Sequence, residues 1–78
     1  MELTDLLAYL AEGLVDDPEA VTVDAFTEQG ETVLELAVGA DDYGKVIGRG
    51  GRTAQALRRV LRAAGQQRGQ RVLVDIVD

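Results

Sequence analysis

The stretch Gly44-Lys45-Val46-Ile47-Gly48-Arg49-Gly50-Gly51-Arg52-Thr53 decides how this chain of 78 residues is read. Gly48-Arg49-Gly50-Gly51 is too rich in glycine to be anything but a tight loop. Before it, Asp41 or Asp42 can cap a short helix that runs through about Ile47. After it, Arg52 to Ala64 carries helical periodicity. At roughly 100° per residue, Ala54, Leu57, Val60, Leu61 and Ala64 share one face, and Arg52, Arg58, Arg59 and Arg62 share the opposite one. Gly65 falls where a helix C-cap belongs. The segment therefore reads as helix, glycine loop, helix.

Two phosphate motifs fail on these residues. Gly39, four residues, then Gly44-Lys45 has the Walker A spacing, but Val46 stands where a Ser or Thr hydroxyl would hold magnesium. Asp41 and Asp42 would also lie inside that loop and repel phosphate. The dinucleotide pattern G-x-G-x-x-G, started at Gly48 and Gly50, meets Thr53 at its third glycine. It also needs a preceding strand, where this sequence predicts a helix.

Outward from the loop, the rest of the chain completes one small domain. Leu3, Leu6, Leu7, Leu10 and Leu14 have the spacing of an amphipathic helix, which Asp16-Asp17-Pro18 stops. Val21 to Glu28 alternates, with Val21, Val23 and Ala25 opposite Thr22, Asp24 and Phe26. Thr32 to Val38 alternates as well, with Leu34, Leu36 and Val38 opposite Val33, Glu35 and Ala37. The short connection Gln29-Gly30-Glu31 predicts an antiparallel hairpin. Gln66 to Gly69 is a polar loop, and Val72, Val74 and Ile76 mark a last strand. The order α-β-β-α-α-β predicts an α+β domain spanning residues 1–78: a three-stranded sheet covered by helices on one face.

Composition narrows the chemistry. The chain has neither cysteine nor histidine, which excludes disulfides, thiolate metal sites and Ser-His-Asp or Cys-His catalysis. No metal cluster or catalytic pair surrounds the glycine loop, so the reading is a protein that is not an enzyme, with no cofactor. No apolar run approaches a membrane span, and Met1-Glu2-Leu3 lacks a signal peptide's basic start; the expectation is a soluble cytoplasmic domain with no membrane partner. Net charge is −6, from fourteen acids and eight bases. Every base nevertheless lies between Lys45 and Arg71, and no acid interrupts from Gly44 to Leu73. That local +8 matters more to an anionic ligand than the total.

Val46-Ile47-Gly48-x-x-Gly51 followed by a helix resembles the core motif of the K-homology (KH) domain, and the element order resembles its type II form. The length, the N-terminal leucine helix, the turn Asp16-Asp17-Pro18-Glu19-Ala20 and the run from Gly44 to Ala54 resemble the small bacterial stand-alone KH proteins of the KhpA (YlqC) family. The resemblance implies a single-stranded RNA-binding protein acting as an RNA chaperone or post-transcriptional regulator. It also implies homodimers, or heterodimers with a larger KH-domain protein. An interaction module that mainly dimerises or docks is the alternative function. Many KH domains carry Ile where this chain has Ala54, which leaves less apolar wall for base discrimination.

The RNA-binding residues expected on this reading are Lys45, Val46, Ile47, Gly48, Arg49, Gly50, Gly51, Arg52 and Ala54. Glycines let a sugar-phosphate chain approach the backbone, and the helix start that follows attracts phosphate. Such loops clamp about four nucleotides of single strand. Val46 and Ile47 have two readings, as core residues or as part of the apolar wall with Ala54 and Leu57. Arg58, Arg59 and Arg62 likewise read either as a solvated helix face or as further nucleic-acid surface.

Overall fold

Leucines spaced three and four apart build the first element. In the computed structural model, which describes all residues from Met1 to Asp78, helix α1 spans Leu3–Glu12 and buries Leu3, Leu7 and Ala11. Leu6 and Leu10 pack against the same core. The helix stops sooner than the leucine pattern suggests: Gly13 ends it, and Leu14 lies past the end with 40% of its surface exposed. Glycine is a poor helix former, so the pattern alone cannot carry the helix through it. A short turn at Pro18–Ala20 then leads into the sheet.

Strands β1 (Thr22–Glu28) and β2 (Glu31–Ala37) form the antiparallel hairpin. Its two-residue loop is Gln29-Gly30, both at positive φ, as the twist-compatible hairpin turns require. After a turn at Ala40–Asp42 come the short helix α2 (Tyr43–Ile47) and the long helix α3 (Arg52–Gln66). Strand β3 (Val72–Ile76) returns parallel to β2, so the sheet order is β1-β2-β3 with β2 central.

Register assigns the two faces. Val23, Leu36 and Ile76 align across the inner face, as do Ala25, Leu34 and Val74. Leu34, Leu36, Val74 and Ile76 join Leu7, Val46, Ala54, Leu57 and Leu61 in one core beneath the helices. On the outer face, Phe26, Val33 and Leu73 form one row, and Asp24, Glu35 and Asp75 the next. Val33 is buried although no helix covers that face. Its two cross-strand neighbours shield it, an effect that alternation along one strand cannot reveal.

Two features of α3 differ from the periodicity. Val60 is 45% exposed, because the core takes Ala54, Leu57 and Leu61 and leaves Val60 at the edge of the stripe. Gly65 is not a cap but a buried residue inside the helix. A Cβ there would stand 2.4 Å from Val72 Cγ2 and 3.0 Å from the Gln70 carbonyl oxygen. The glycine serves the close approach of α3 to the start of β3. This contact fixes the far end of α3, while the glycine loop fixes the near end.

Candidate nucleic-acid interface

The loop between α2 and α3 is shaped by its glycines. Gly48 donates its N–H to the Gly44 carbonyl at 2.8 Å, closing α2, and its own carbonyl accepts the Gly51 N–H at 3.1 Å. Gly48 adopts φ 77°, ψ 170°, a region that is essentially glycine's alone. Space forbids a side chain there as well: a Cβ would come within 2.2 Å of Thr53 Oγ1 and 2.7 Å of its Cβ. Gly50 and Gly51 are both left-handed, at φ 64° and 77°, with open space around each. Two successive positive-φ residues turn the chain directly into the first turn of α3.

No side chain caps α3 at Gly51. The Arg52 N–H bonds back to the Arg49 carbonyl, and no side chain caps the N–H groups that follow at the start of this helix of 15 residues, the positive end of the helix dipole. Arg49, Gly50 and Arg52 are exposed around that opening, while Gly48 and Gly51 are half-buried. Backbone donors and approachable glycine backbone thus lie at one loop, with the exposed Arg49 within it and the exposed Arg52 directly after it. That chemistry suits a phosphodiester.

The apolar candidates divide. Val46 is fully buried and Ala54 is 2% exposed, so both are core residues under the loop rather than surface it presents. Their burial follows from position: each lies on the inward face of a helix flanking the loop. Ile47 packs on that core and remains half-buried, the one apolar candidate with surface toward solvent.

Lys45 is held by acids. Its Nζ lies 3.1 Å from Asp42 Oδ1 and 3.3 Å from Asp16 Oδ2. Asp42 makes no helix-capping bond. Its buried carboxylate accepts the N–H groups of Asp16 at 3.2 Å and Asp17 at 3.1 Å, tying the link after α1 to the start of α2. The Asp16 N–H above all, then that of Asp17 and Lys45, hold the Asp42 carboxyl below its ordinary range against the opposing effect of burial. The hydrogen bonds to Asp42 and Asp16 raise Lys45 in turn. An acid just ahead of a helix looks like a cap in sequence; its partners 25 and 26 residues away leave no local signal.

These are the only ion pairs in the structure, so none of the seven arginines has an acidic partner. The arginine face of α3 is not uniform. Arg58 is half-buried and donates Nε–H to the Val74 carbonyl at 3.3 Å. The Thr32 N–H bonds to the Arg71 carbonyl at one end of β3, and the Val77 N–H bonds to the Leu36 carbonyl at the other. Parallel-ladder geometry then points the backbone groups of Val72, Val74 and Ile76 away from β2, off the free edge. Arg58 therefore spans from α3 to the open edge of the sheet, while Arg59 and Arg62 stay exposed.

The profile described as KhpA/KhpB, KH domain matches residues 4–76. The RNA-binding protein KhpA of Streptomyces coelicolor is 49% identical over 97% of this chain and 92% of its own length. The protein of that name from Mycobacterium tuberculosis is 45% identical over 97% of this chain and 91% of its own. The one from Clostridium acetobutylicum is 43% identical over 96% and 100%. These relatives are named for RNA binding and not for catalysis. With the α-β-β-α-α-β order and the glycine loop in place, the chain belongs to the KhpA/KhpB family of KH domains.

Proposed function

We propose that this protein binds single-stranded RNA in the bacterial cytoplasm, clamping a short stretch of backbone at Gly48-Arg49-Gly50-Gly51 and acting as an RNA chaperone or post-transcriptional regulator. The observation that carries this reading is the opening at the start of α3, where uncapped N–H groups, approachable glycine backbone and the unpaired Arg49 and Arg52 meet. The relatives named RNA-binding protein KhpA support it. Lys45 acts through its ion pairs, which brace α2 beside the loop, and Ile47 supplies the apolar edge on which a base can rest. Fluorescence anisotropy with an unstructured oligonucleotide and with a hairpin stem tests the assignment. A narrow groove admits splayed bases but cannot read the deep major groove of an A-form duplex, so the single strand binds more tightly. Equal affinity for both would replace the clamp with general attraction to arginine.

A second reading, pairing with another copy or with a larger KH-domain protein, rests on a separate surface. Leu10, Leu14, Ala56, Leu57 and Val60 line an apolar depression of about 220 Å³ between the end of α1 and α3. Tyr9, Leu14 and Val60 are 67%, 40% and 45% exposed. A chain this small buries little surface alone, and an apolar face is what assembly would cover. Sedimentation of the pure protein tests self-pairing.

A further inference from the structure

The positive surface does not end at the glycine loop. Arg52, Gln55, Arg59, Arg62 and Gln66 follow the alternating three- and four-residue spacing of a single helix face. All five are exposed. At the far end of this stripe, Arg62 and Gln66 of α3 meet Gln70 and Arg71 of the segment entering β3 around a shallow pocket of about 270 Å³. Leu73 contributes apolar surface, and Glu31 is the one acid in the lining. Neither Arg62 nor Arg71 is ion-paired with Glu31 or with any other carboxylate. The clearance is held by the fold: Gly65 lets α3 close on Val72, and the Gly65 carbonyl accepts the Gln70 N–H at 2.9 Å.

We infer that the Arg62–Arg71 pocket is a second phosphate-binding subsite, which engages RNA beyond the stretch held at the glycine loop. This rests on the single-strand reading above. At 1.5 Å per residue, Arg62 stands about 16 Å along α3 from Gly51. Stacked nucleotides advance about 3.4 Å each, so the roughly four that such a loop clamps are used up before the strand reaches Arg62. The next phosphates pass between two guanidinium groups whose amide neighbours, Gln66 and Gln70, can donate to phosphate or sugar oxygens. Leu73 offers a sugar or base an apolar contact at the pocket's side. The glycine loop and the pocket thus act as two points on one path, with Arg59 between them.

The test compares RNA length with charge. Anisotropy titrations use unstructured oligonucleotides of about 4 and about 10 nucleotides, the first sized to the loop alone, against the parent, R62Q/R71Q and R62K/R71K. The glutamine variant should bind the long oligonucleotide roughly tenfold more weakly and the short one as the parent does. Its salt slope on the long oligonucleotide should be shallower by about 1.4, at ~0.7 per single-strand phosphate. The lysine variant should keep most of the parent's affinity, because the contact needs positive charge. Both side chains are exposed, and unchanged circular dichroism confirms that each variant is folded. Equal weakening at both lengths would overturn the subsite and make these arginines part of a diffuse field. Parent-like binding at both lengths would overturn it as well. Failure of the parent to bind either oligonucleotide would instead remove the RNA reading, and the subsite with it.

Discussion

Lys45 Nζ sits 3.1 Å from Asp42 Oδ1, and the same carboxylate receives the backbone N–H groups of Asp16 and Asp17. A lysine beside the glycine loop is thereby spent on joining α2 to the link between α1 and β1. The side-chain positive charge left without an acidic partner is entirely guanidinium. Arginine's planar fork suits phosphate better than a point charge does, so the division of labour follows the chemistry of each side chain.

Acid should loosen this junction. The pKa of Asp42 is lowered in the folded protein, so its contribution to stability is fully present above the ordinary value of 3.8 and is lost as pH falls through the lowered one. Lys45 is raised, so its share persists below 10.5 and fades only as pH climbs through the raised value. Thermal melts of parent and D42N should differ by several degrees at neutral pH and converge on acidification. Parallel curves down to strong acid would assign the acid limb to another group.

The loop glycines should not be equivalent. Gly51→Ala meets open space and pays only for a left-handed backbone, about 1–2 kcal/mol. Gly48→Ala pays for its conformation and also collides with Thr53. Urea unfolding should therefore find Gly48→Ala the more destabilised, and trimming Thr53 to alanine or glycine in the same chain should recover part of the loss. Equal costs at the two positions would mean that the loop relaxes away from Thr53.

Replacing Arg49 and Gly50 together with aspartate should leave the protein folded, since both are exposed and no atom crowds Gly50. Gly50 has φ 64°, which aspartate tolerates better than most residues. Two negative charges would then stand where the proposed clamp brings phosphate. Loss of a charge-assisted contact is worth roughly 1.5–3 kcal/mol, so RNA affinity should fall at least about tenfold by gel shift. A folded variant that binds RNA as the parent does would displace the clamp.

Val60→Asp tests the apolar depression. The site is 45% exposed and outside the core, so folding should survive. If this face pairs copies of the chain, light scattering should report a lower mass for the variant than for the parent at equal concentration. An unchanged assembled mass would move the interface elsewhere.

Much of the fold was legible along the chain. Leucine spacing found α1, alternation found β1 and β2, and three glycines among Gly48-Arg49-Gly50-Gly51 placed the turn between α2 and α3. Those signals are local: periodicity records which side of an element meets the core, and glycine records where the backbone must bend. The same residues carried the family resemblance, and the segregation of every base into one segment was visible without coordinates.

What tertiary structure alone decided lies between elements distant in sequence. The carboxylate of Asp42 became an anchor rather than a cap because the N–H groups of Asp16 and Asp17 come within reach only after α1 and α2 pack. Val33 became buried on an open face because Phe26 and Leu73 flank it from separate strands, and Val46 and Ala54 went inward beneath the loop. Arg58, Arg62 and Arg71 acquired different surroundings because α3 lies beside the free edge of β3. Sequence determines the chemistry that each residue brings and the local bend of the chain. Which groups share a dry interior, an ion pair or an open surface is settled by through-space contact, and those contacts exist only in the packed molecule.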